Sequence, residues 1–144
     1  MITACSGDLD RILAVEEEVF PEESFSRRQV AYMLCSPQTR TSLLTAGGEP
    51  VGFVAVWWRR GASTCRIIDL AVRRRYRRLG VGARLVQAAI RRGRRTGFVG
   101  VTLEVAENNR PARQLYTSQG FREERRLPHY YDDGEHALRM VRWL

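Results

Sequence analysis

The chain contains no lysine, and it has only two histidines, three cysteines and five prolines among its 144 residues. All 24 basic residues are therefore arginine, set against 16 acidic residues for a formal net charge of +8. A functional pressure for positive charge would be expected to use both basic residues. The missing lysine instead indicates a coding bias, so net charge alone is weak evidence for a polyanionic partner.

The cysteines Cys5, Cys35 and Cys65 are isolated, which excludes a disulfide framework or a cysteine-based zinc site. With so few histidines as well, we expect no metal. The longest strongly apolar run covers eight residues, 51–58, far short of the roughly 20 that span a bilayer. Five acidic residues among the first twenty do not fit a secretory signal. We therefore expect a cytoplasmic protein with no membrane partner.

Hydrophobic periodicity predicts one domain over residues 1–144, of the α/β class with a mixed sheet. Short turns make the first three strands an antiparallel meander, and the strand–helix–strand unit that follows predicts a parallel pair. Helices are expected over 9–19, 26–36, from 82 to 93 or 97, and 111–119. Strands are expected over 41–46, 51–58, 65–72, 99–105, 121–127 and 136–141.

A basic loop with two glycines joins the third strand to the third helix. Backbone N–H groups at a helix N-terminus bind phosphate, and Gly80 and Gly82 let an anion approach the main chain. A Walker loop is excluded because it needs a lysine, and Leu85 stands where a dinucleotide-binding GxGxxG motif needs glycine. By itself the loop predicts either a phosphate site or a plain tight turn.

Two motifs together resemble the GNAT superfamily of N-acetyltransferases. The loop 77–82, RRLGVG, resembles the family's pyrophosphate-binding R-x-x-G-x-G, and 103–121, LEVAENNRPARQLYTSQGF, resembles its second signature. Phe20-Pro21, the LEV strand and Tyr130-Tyr131 resemble most closely the ribosomal-protein-alanine N-acetyltransferase branch (RimI type). That branch usually has tryptophan after Phe-Pro, whereas this chain has Glu22.

The resemblance implies a GNAT-like fold, with a parallel strand pair splayed around acetyl-CoA and flanked by helices. It implies acetyl transfer from acetyl-CoA to the N-terminal α-amine of a protein, with Glu104 as general base and Tyr116 as general acid. Phe20, Tyr130 and Tyr131 are expected to flank the acceptor. The residues expected to contact acetyl-CoA are Leu70, Ala71, Val72, Arg77, Arg78, Leu79, Gly80, Val81, Gly82, Ala83 and Asn109.

Two other functions stay open at this point. The loops expected to border the acceptor carry the acids Glu22, Glu23, Asp132, Asp133 and Glu135, which favours a small cationic amine such as a polyamine or an aminoglycoside. Three clusters of arginines, within residues 73–78, 91–95 and 122–126, also fit a nucleic-acid-binding module, but no RRM, KH or helix-turn-helix signature accompanies them. We expect no specific nucleic acid, and a monomer or weak homodimer.

Overall fold

The computed structural model describes all 144 residues, and its seven strands form one mixed sheet in the order β1-β2-β3-β4-β5-β7-β6. The only parallel neighbours are β4 and β5. This architecture confirms the expected fold class. The helices are α1 (Leu9–Val19), α2 (Arg27–Cys35), α3 (Val81–Thr96) and α4 (Arg110–Ser118). The strands are β1 (Ile2–Thr3), β2 (Thr39–Ala46), β3 (Glu49–Trp57), β4 (Thr64–Val72), β5 (Gly100–Ala106), β6 (Arg122–Leu127) and β7 (Ala137–Trp143).

The sheet is covered by helices on both faces, so its inner strand β3 is buried on both sides. Because side chains alternate along a strand, Phe53 and Ala55 pack under α1 and α2, whereas Val54 and Val56 pack under α3. Two hydrophobic cores result, one in each layer. No helix of the chain combines the length and the apolar composition needed to cross a bilayer.

Local sequence signals place most helix ends correctly. The capping box that predicts α2 is formed: the Gln29 N–H donates to Ser26 Oγ (3.2 Å) and the Ser26 N–H donates to Gln29 Oε1 (2.7 Å). Of the two expected stops for α3, the helix uses Gly97, which has φ 93. Gly93 lies inside the helix, where a Cβ would come within 3.1 Å of Leu144. The two-residue strand β1 was not predicted because it is too short to show a pattern.

The parallel strands β4 and β5 separate partway along their length. Their pairing runs from Thr64↔Gly100 to Ile67↔Leu103. Beyond that point β4 continues against β3 alone, and β5 continues against β7 alone. The splayed strand pair implied by the resemblance is therefore present, and the edges that face each other across the gap have no strand partner.

Candidate active site

The loop before α3 presents a row of free backbone donors. The six consecutive N–H groups of residues 78–83 donate no hydrogen bond within the protein, and the first helical bond runs from Arg84 N–H to Gly80 O (3.1 Å). Arg78 (φ 62) and Gly80 (φ 77) are both left-handed, a backbone shape that turns successive N–H groups toward one point. Together with the helix dipole, this arrangement suits a phosphate or pyrophosphate group.

The two glycines of this loop are required for different reasons. At Gly80 a Cβ would have no atom within 4 Å, so the left-handed backbone, and not a lack of space, is what favours glycine there. At Gly82 a Cβ would lie 3.0 Å from Leu115 Cδ2. Gly82 therefore also serves the close packing of α3 against α4, a reason that the sequence did not reveal.

Glu104 occupies the expected position on β5, on the face opposite the core that Val101, Leu103 and Val105 form with α3. Its side chain is only 10% exposed and lies between two arginines: Arg66 Nη2 is 3.2 Å from Oε2, and Arg139 Nη1 is 3.9 Å from Oε1. The contact with Arg66 is an ion pair without hydrogen-bond geometry, because Oε2 accepts no hydrogen bond. The Tyr130 hydroxyl faces the same carboxylate, and this interaction is the main reason that the pKa of Tyr130 is raised.

The two arginines were not found by sequence reasoning. Arg139 is the direct cross-strand partner of Glu104, and Arg66 pairs with Thr102, two positions before Glu104. Each lies on the same face of the sheet as the carboxylate. The alternation of side chains along β4 and β7 indicates on which face of the sheet each arginine lies. Only the strand order and register reveal that both arginines lie beside Glu104.

Tyr116 lies in α4 with its ring packed edge-to-face against Phe121, at 5.8 Å between centroids. The side chain is 8% exposed. Burial raises the pKa of Tyr116 to about 12, and the charges of Asp69 and Tyr131 act in the same direction. The phenol is therefore protonated throughout the physiological pH range and available as a hydrogen-bond donor.

Tyr131 links the environments of Tyr116 and Glu104. The pKa of Tyr131 is raised, first by burial and then by the Glu104 carboxylate, and its own charge raises the pKa of Tyr116. The Tyr130 and Tyr131 rings stand edge-to-face at 5.1 Å. The structure thus brings the proposed base, the proposed acid and the tyrosine pair into one neighbourhood.

Two hydrogen bonds hold the loop that carries these tyrosines. The His129 N–H donates to His136 Nδ1 (3.0 Å), and the Tyr131 N–H donates to Glu135 O (3.1 Å). From the opposite side, Glu23 lies close enough to Tyr131 to raise its pKa. The α1–α2 loop therefore approaches the tyrosine loop on the side of Glu23.

Phe20 and Asn109 have local roles that the sequence only partly indicates. Phe20 caps the end of α1 and packs, half-buried, against the core beneath α1 and α2. Asn109 Oδ1 accepts a hydrogen bond from the Ala112 N–H (3.2 Å), which caps α4 and leaves the side-chain NH₂ group without a partner in the protein. Contacts of these residues with acceptor or acetyl-CoA stay predictions.

The strand residues 70–72 lie where β4 runs beside the gap. Ala71 is buried under α1 and α2, while Leu70 and Val72 pack toward α3. Their backbone on the β5 side has no strand partner. This open edge can accept an extended ligand as an additional strand, which is the position expected for the pantetheine arm.

Glu18 connects this region to the end of α1. Its Oε1 accepts a hydrogen bond from Arg73 Nε and its Oε2 accepts one from the Arg74 N–H, both at 3.1 Å. The backbone bond from Arg74 is the main cause of the lowered pKa of Glu18. More than fifty positions separate these residues, so no local pattern predicts the contact.

Comparison with known proteins agrees with this geometry. Residues 9–121 match the Acetyltransferase (GNAT) family. The chain is 30% identical to an N-alpha-acetyltransferase of Sulfurisphaera tokodaii over 93% of this chain and 86% of the relative. The ribosomal-protein-S18-alanine N-acetyltransferase from Escherichia coli matches with a TM-score of 0.89 and 25% identity, over 99% of this chain and 91% of that one.

A further solved structure, Arabidopsis thaliana NAA60 in complex with acetyl-CoA, shares the fold with a TM-score of 0.86 at 20% identity, over 99% of this chain and 97% of that one. The splayed strands, the free N–H groups before α3 and the matched family agree on the acetyl donor, acetyl-CoA, and on an acyltransferase activity. The chain therefore belongs to the GNAT acetyltransferase family.

Proposed function

We propose that this acetyltransferase acetylates the N-terminal α-amine of a protein, and that a ribosomal protein beginning with alanine is its acceptor. The name of the Sulfurisphaera tokodaii relative and that of the Escherichia coli structure support this proposal. We further propose that residues 1–144 act as a single domain in the cytoplasm, as a monomer or weak homodimer.

The acetyl donor is proposed to lie across the gap between β4 and β5. The free N–H groups of residues 78–83 would hold its pyrophosphate, with Arg77 and Arg78 adding positive charge. The open edge at residues 70–72 would pair with the pantetheine arm, and the free NH₂ group of Asn109 would donate to it. Acetyl-CoA supplies a thioester that releases a thiolate when an amine attacks its carbonyl.

The amine nitrogen loses two protons in this reaction. An α-amine has a pKa of roughly 8, so at neutral pH it must lose one proton before it attacks, and Glu104 accepts that proton directly or through water. The second proton leaves the nitrogen as the amide forms and neutralises the released thiolate. Tyr116 donates a hydrogen bond to the departing sulfur. A phenol of pKa about 12 is a weaker acid than a thiol of roughly 8.5, so its main contribution is stabilisation of the thiolate charge.

A covalent enzyme intermediate is not part of this proposal. The buried cysteine, Cys65, has its pKa raised to about 11 by burial, which keeps its thiol protonated and unreactive. Cys65 also lies on the core side of β4, under α3. Direct attack of the amine is the route that the remaining side chains support.

The observation that carries the choice of acceptor is the pair of arginines beside Glu104. Arg66 and Arg139 lie on either side of Glu104, so this part of the site has two guanidinium groups and one carboxylate. The excess positive charge repels an acceptor that carries several positive charges. A peptide N-terminus has one amine that is substantially neutral near its pKa of roughly 8. Tyr130 and Tyr131 add aromatic faces on which the first peptide residues can lie.

A polyamine or aminoglycoside acceptor is the second candidate, favoured by a specific observation at the rim of the cleft. Glu22, Glu23, Asp132 and Asp133 lie on the two bordering loops, and each is at least partly exposed. These acids attract cations. None of them forms an ion pair with Arg66 or Arg139, so they would attract a cation without neutralising the two guanidinium groups beside Glu104.

The test is acetyl-CoA turnover with a peptide that begins with alanine, the same peptide with a blocked α-amine, and spermidine. We expect acetylation of the free α-amine, located by mass spectrometry, and none of the blocked peptide. Tyr131→Ala should raise the peptide KM. Acetylation of spermidine, with the N-terminus of the unblocked peptide untouched, would overturn the proposal in favour of the second candidate.

A further inference from the structure

Two carboxyl groups other than that of Glu104 lie between α1 and β4. Glu16, in α1, is 2% exposed, and Asp69, two residues before Ala71 on β4, is half-buried with its Oδ2 atom shielded from solvent. Glu16 Oε2 and Asp69 Oδ2 are both buried and have no hydrogen-bond partner among the charged or neutral groups around them. In a chain with 24 arginines, neither carboxyl forms an ion pair with one.

A proton explains these two unpartnered oxygens. Two ionised carboxylates that face each other in a buried site repel, whereas one shared proton makes one group a donor and the other an acceptor. Burial is the largest cause that raises the pKa of Asp69 to about 9, and the facing Glu16 carboxyl is the next. At neutral pH the pair therefore holds one proton.

Glu16 also holds both ends of the α1–α2 loop. Its main-chain oxygen accepts the Phe20 N–H (2.8 Å), and its side-chain Oε1 accepts the Phe25 N–H (2.9 Å). The loop between them carries Glu23, which approaches Tyr131 at the cleft. On its other side, Glu16 faces Asp69 of the strand that borders the gap between β4 and β5.

We propose that Glu16 and Asp69 share one proton and that this carboxyl pair is a positioning device, which fixes the α1–α2 loop against β4 so that the loop can bind the acceptor. The identity of the acceptor rests on the proposed function. The proposal for the pair does not, because the two shielded, unpartnered oxygens are features of the folded chain whatever the acceptor is.

No cation pairs with Glu16 or Asp69, so a shared proton is the main compensation for their negative charge. From α4 the ionisable group is Tyr116, whose pKa the Asp69 charge raises, with Tyr131 beyond it. Phe53 and Ala55 of β3 and the core residues of α1 and α2 are apolar. Arg66 and Glu104 share the same face of the sheet, but they pair with each other. Loss of the shared proton at high pH would place two negative charges between α1 and β4.

The first experiment measures protonation through stability. Because the pKa of Asp69 is raised, the folded state keeps a proton that the unfolded chain releases above roughly pH 4. This pair should lower the folding equilibrium constant by up to about tenfold per pH unit between pH 5 and 8.5, and the slope should vanish above the folded pKa.

Asp69→Asn removes that slope. The folding equilibrium constants of variant and wild type are measured by urea unfolding. The constant of Asp69→Asn divided by that of wild type should rise steadily from about pH 5 to 8.5. Glu123→Gln is the matched control, since Glu123 is an exposed acid paired with Arg113, and its ratio should not rise with pH. A ratio for Asp69→Asn that is independent of pH would overturn the shared proton.

The second experiment separates positioning from a merely structural role. Asp69→Asn keeps a hydrogen-bond donor for Glu16 and should retain a peptide KM near that of wild type at pH 7. Asp69→Leu loses it and should raise the peptide KM about tenfold, the size expected for one hydrogen bond to a charged group, with the acetyl-CoA KM unchanged. The wild-type peptide KM should also rise above pH 9, whereas that of Asp69→Asn should not.

Equal KM values for the two variants, or a rise in the acetyl-CoA KM in place of the peptide KM, would overturn the positioning role. If Asp69→Leu does not fold, the pH dependence of KM in wild type and Asp69→Asn decides the question. If the enzyme acetylates a small amine and no peptide, the proposed function fails, and the same KM comparison is made with that amine. The urea measurement stands in either case.

Discussion

Replacing Glu104 with glutamine tests the proposed base most directly. The change keeps the size of the side chain and removes its negative charge and its ability to take a proton. Glu104 is paired with Arg66 at 3.2 Å and with Arg139 at 3.9 Å. Both arginine side chains are about one-third exposed, at 34% and 30%, so water can solvate them when the carboxylate is lost. We expect the variant to fold, with a loss of about 1 kcal/mol in the free energy of unfolding.

The expected loss of rate is much larger than the loss of stability. Removal of a general base slows a reaction by roughly 10²–10⁴-fold, which corresponds to about 3–5 kcal/mol in the activation free energy. Acetyl-CoA affinity should stay close to that of wild type, because Glu104 lies on β5 and the proposed pyrophosphate site lies at the start of α3. The defect should therefore appear in kcat with a peptide acceptor.

The pH dependence gives the prediction its sharpest form. With an α-amine pKa of roughly 8, about one-tenth of the amine is neutral at pH 7 and about nine-tenths at pH 9. An enzyme without its base depends on that neutral fraction. The ratio of the wild-type rate to the Glu104→Gln rate should therefore fall by about tenfold between pH 7 and pH 9. Both rates are measured by thiol release under saturating acetyl-CoA.

Glu124→Gln is the matched control. Glu124 pairs with the same Arg139, at 3.5 Å, but it is 44% exposed and lies on β6, the edge strand of the sheet. Its loss should leave the rate and the pH profile unchanged. The reasoning is refuted if Glu104→Gln matches wild type at pH 7 while folded, or if its defect is the same at pH 7 and pH 9.

The remaining predictions concern the acid, the pyrophosphate site and the acceptor loop. Tyr116→Phe removes only the phenol O–H, so the variant should fold and bind acetyl-CoA, while kcat falls about 10- to 100-fold, the value of one hydrogen bond to a charged group. An unchanged kcat would exclude the role of Tyr116 at the leaving sulfur. Gly80→Asp places a negative charge beside the free N–H groups and should weaken acetyl-CoA binding in calorimetry by at least about tenfold. Gly48→Asp, with a similar left-handed backbone in the β2–β3 turn, controls for backbone strain, and equal affinity of the two variants would remove the anion site. His136→Phe deletes the Nδ1 acceptor used by the His129 N–H, so the peptide KM should rise while the acetyl-CoA KM stays constant. A peptide KM equal to that of wild type would show that the loop does not position the acceptor.

The features that the sequence determined are those set by neighbours along the chain. The Ser26–Gln29 capping box, the alternation through Val101, Leu103 and Val105, and the left-handed Gly97 each depend on a few adjacent residues. The segment 77–83 is of the same kind, because a strand followed by a glycine loop and a helix leaves N–H groups free whatever surrounds them. The fold class and the family were recognisable for this reason.

The tertiary structure decided which charges meet. Arg66 and Arg139 reach Glu104 from β4 and β7, Glu18 reaches the backbone at Arg74, and Glu16 meets Asp69, all across more than thirty positions in the chain. Strand order and register bring these groups together, and neither leaves a periodic mark in the sequence. Each of these charges is compensated differently: by two arginines at Glu104, by Arg73 and a backbone N–H at Glu18, and by a proton at Asp69. Burial makes this necessary at Glu104 and Asp69, because an uncompensated charge cannot be kept away from water.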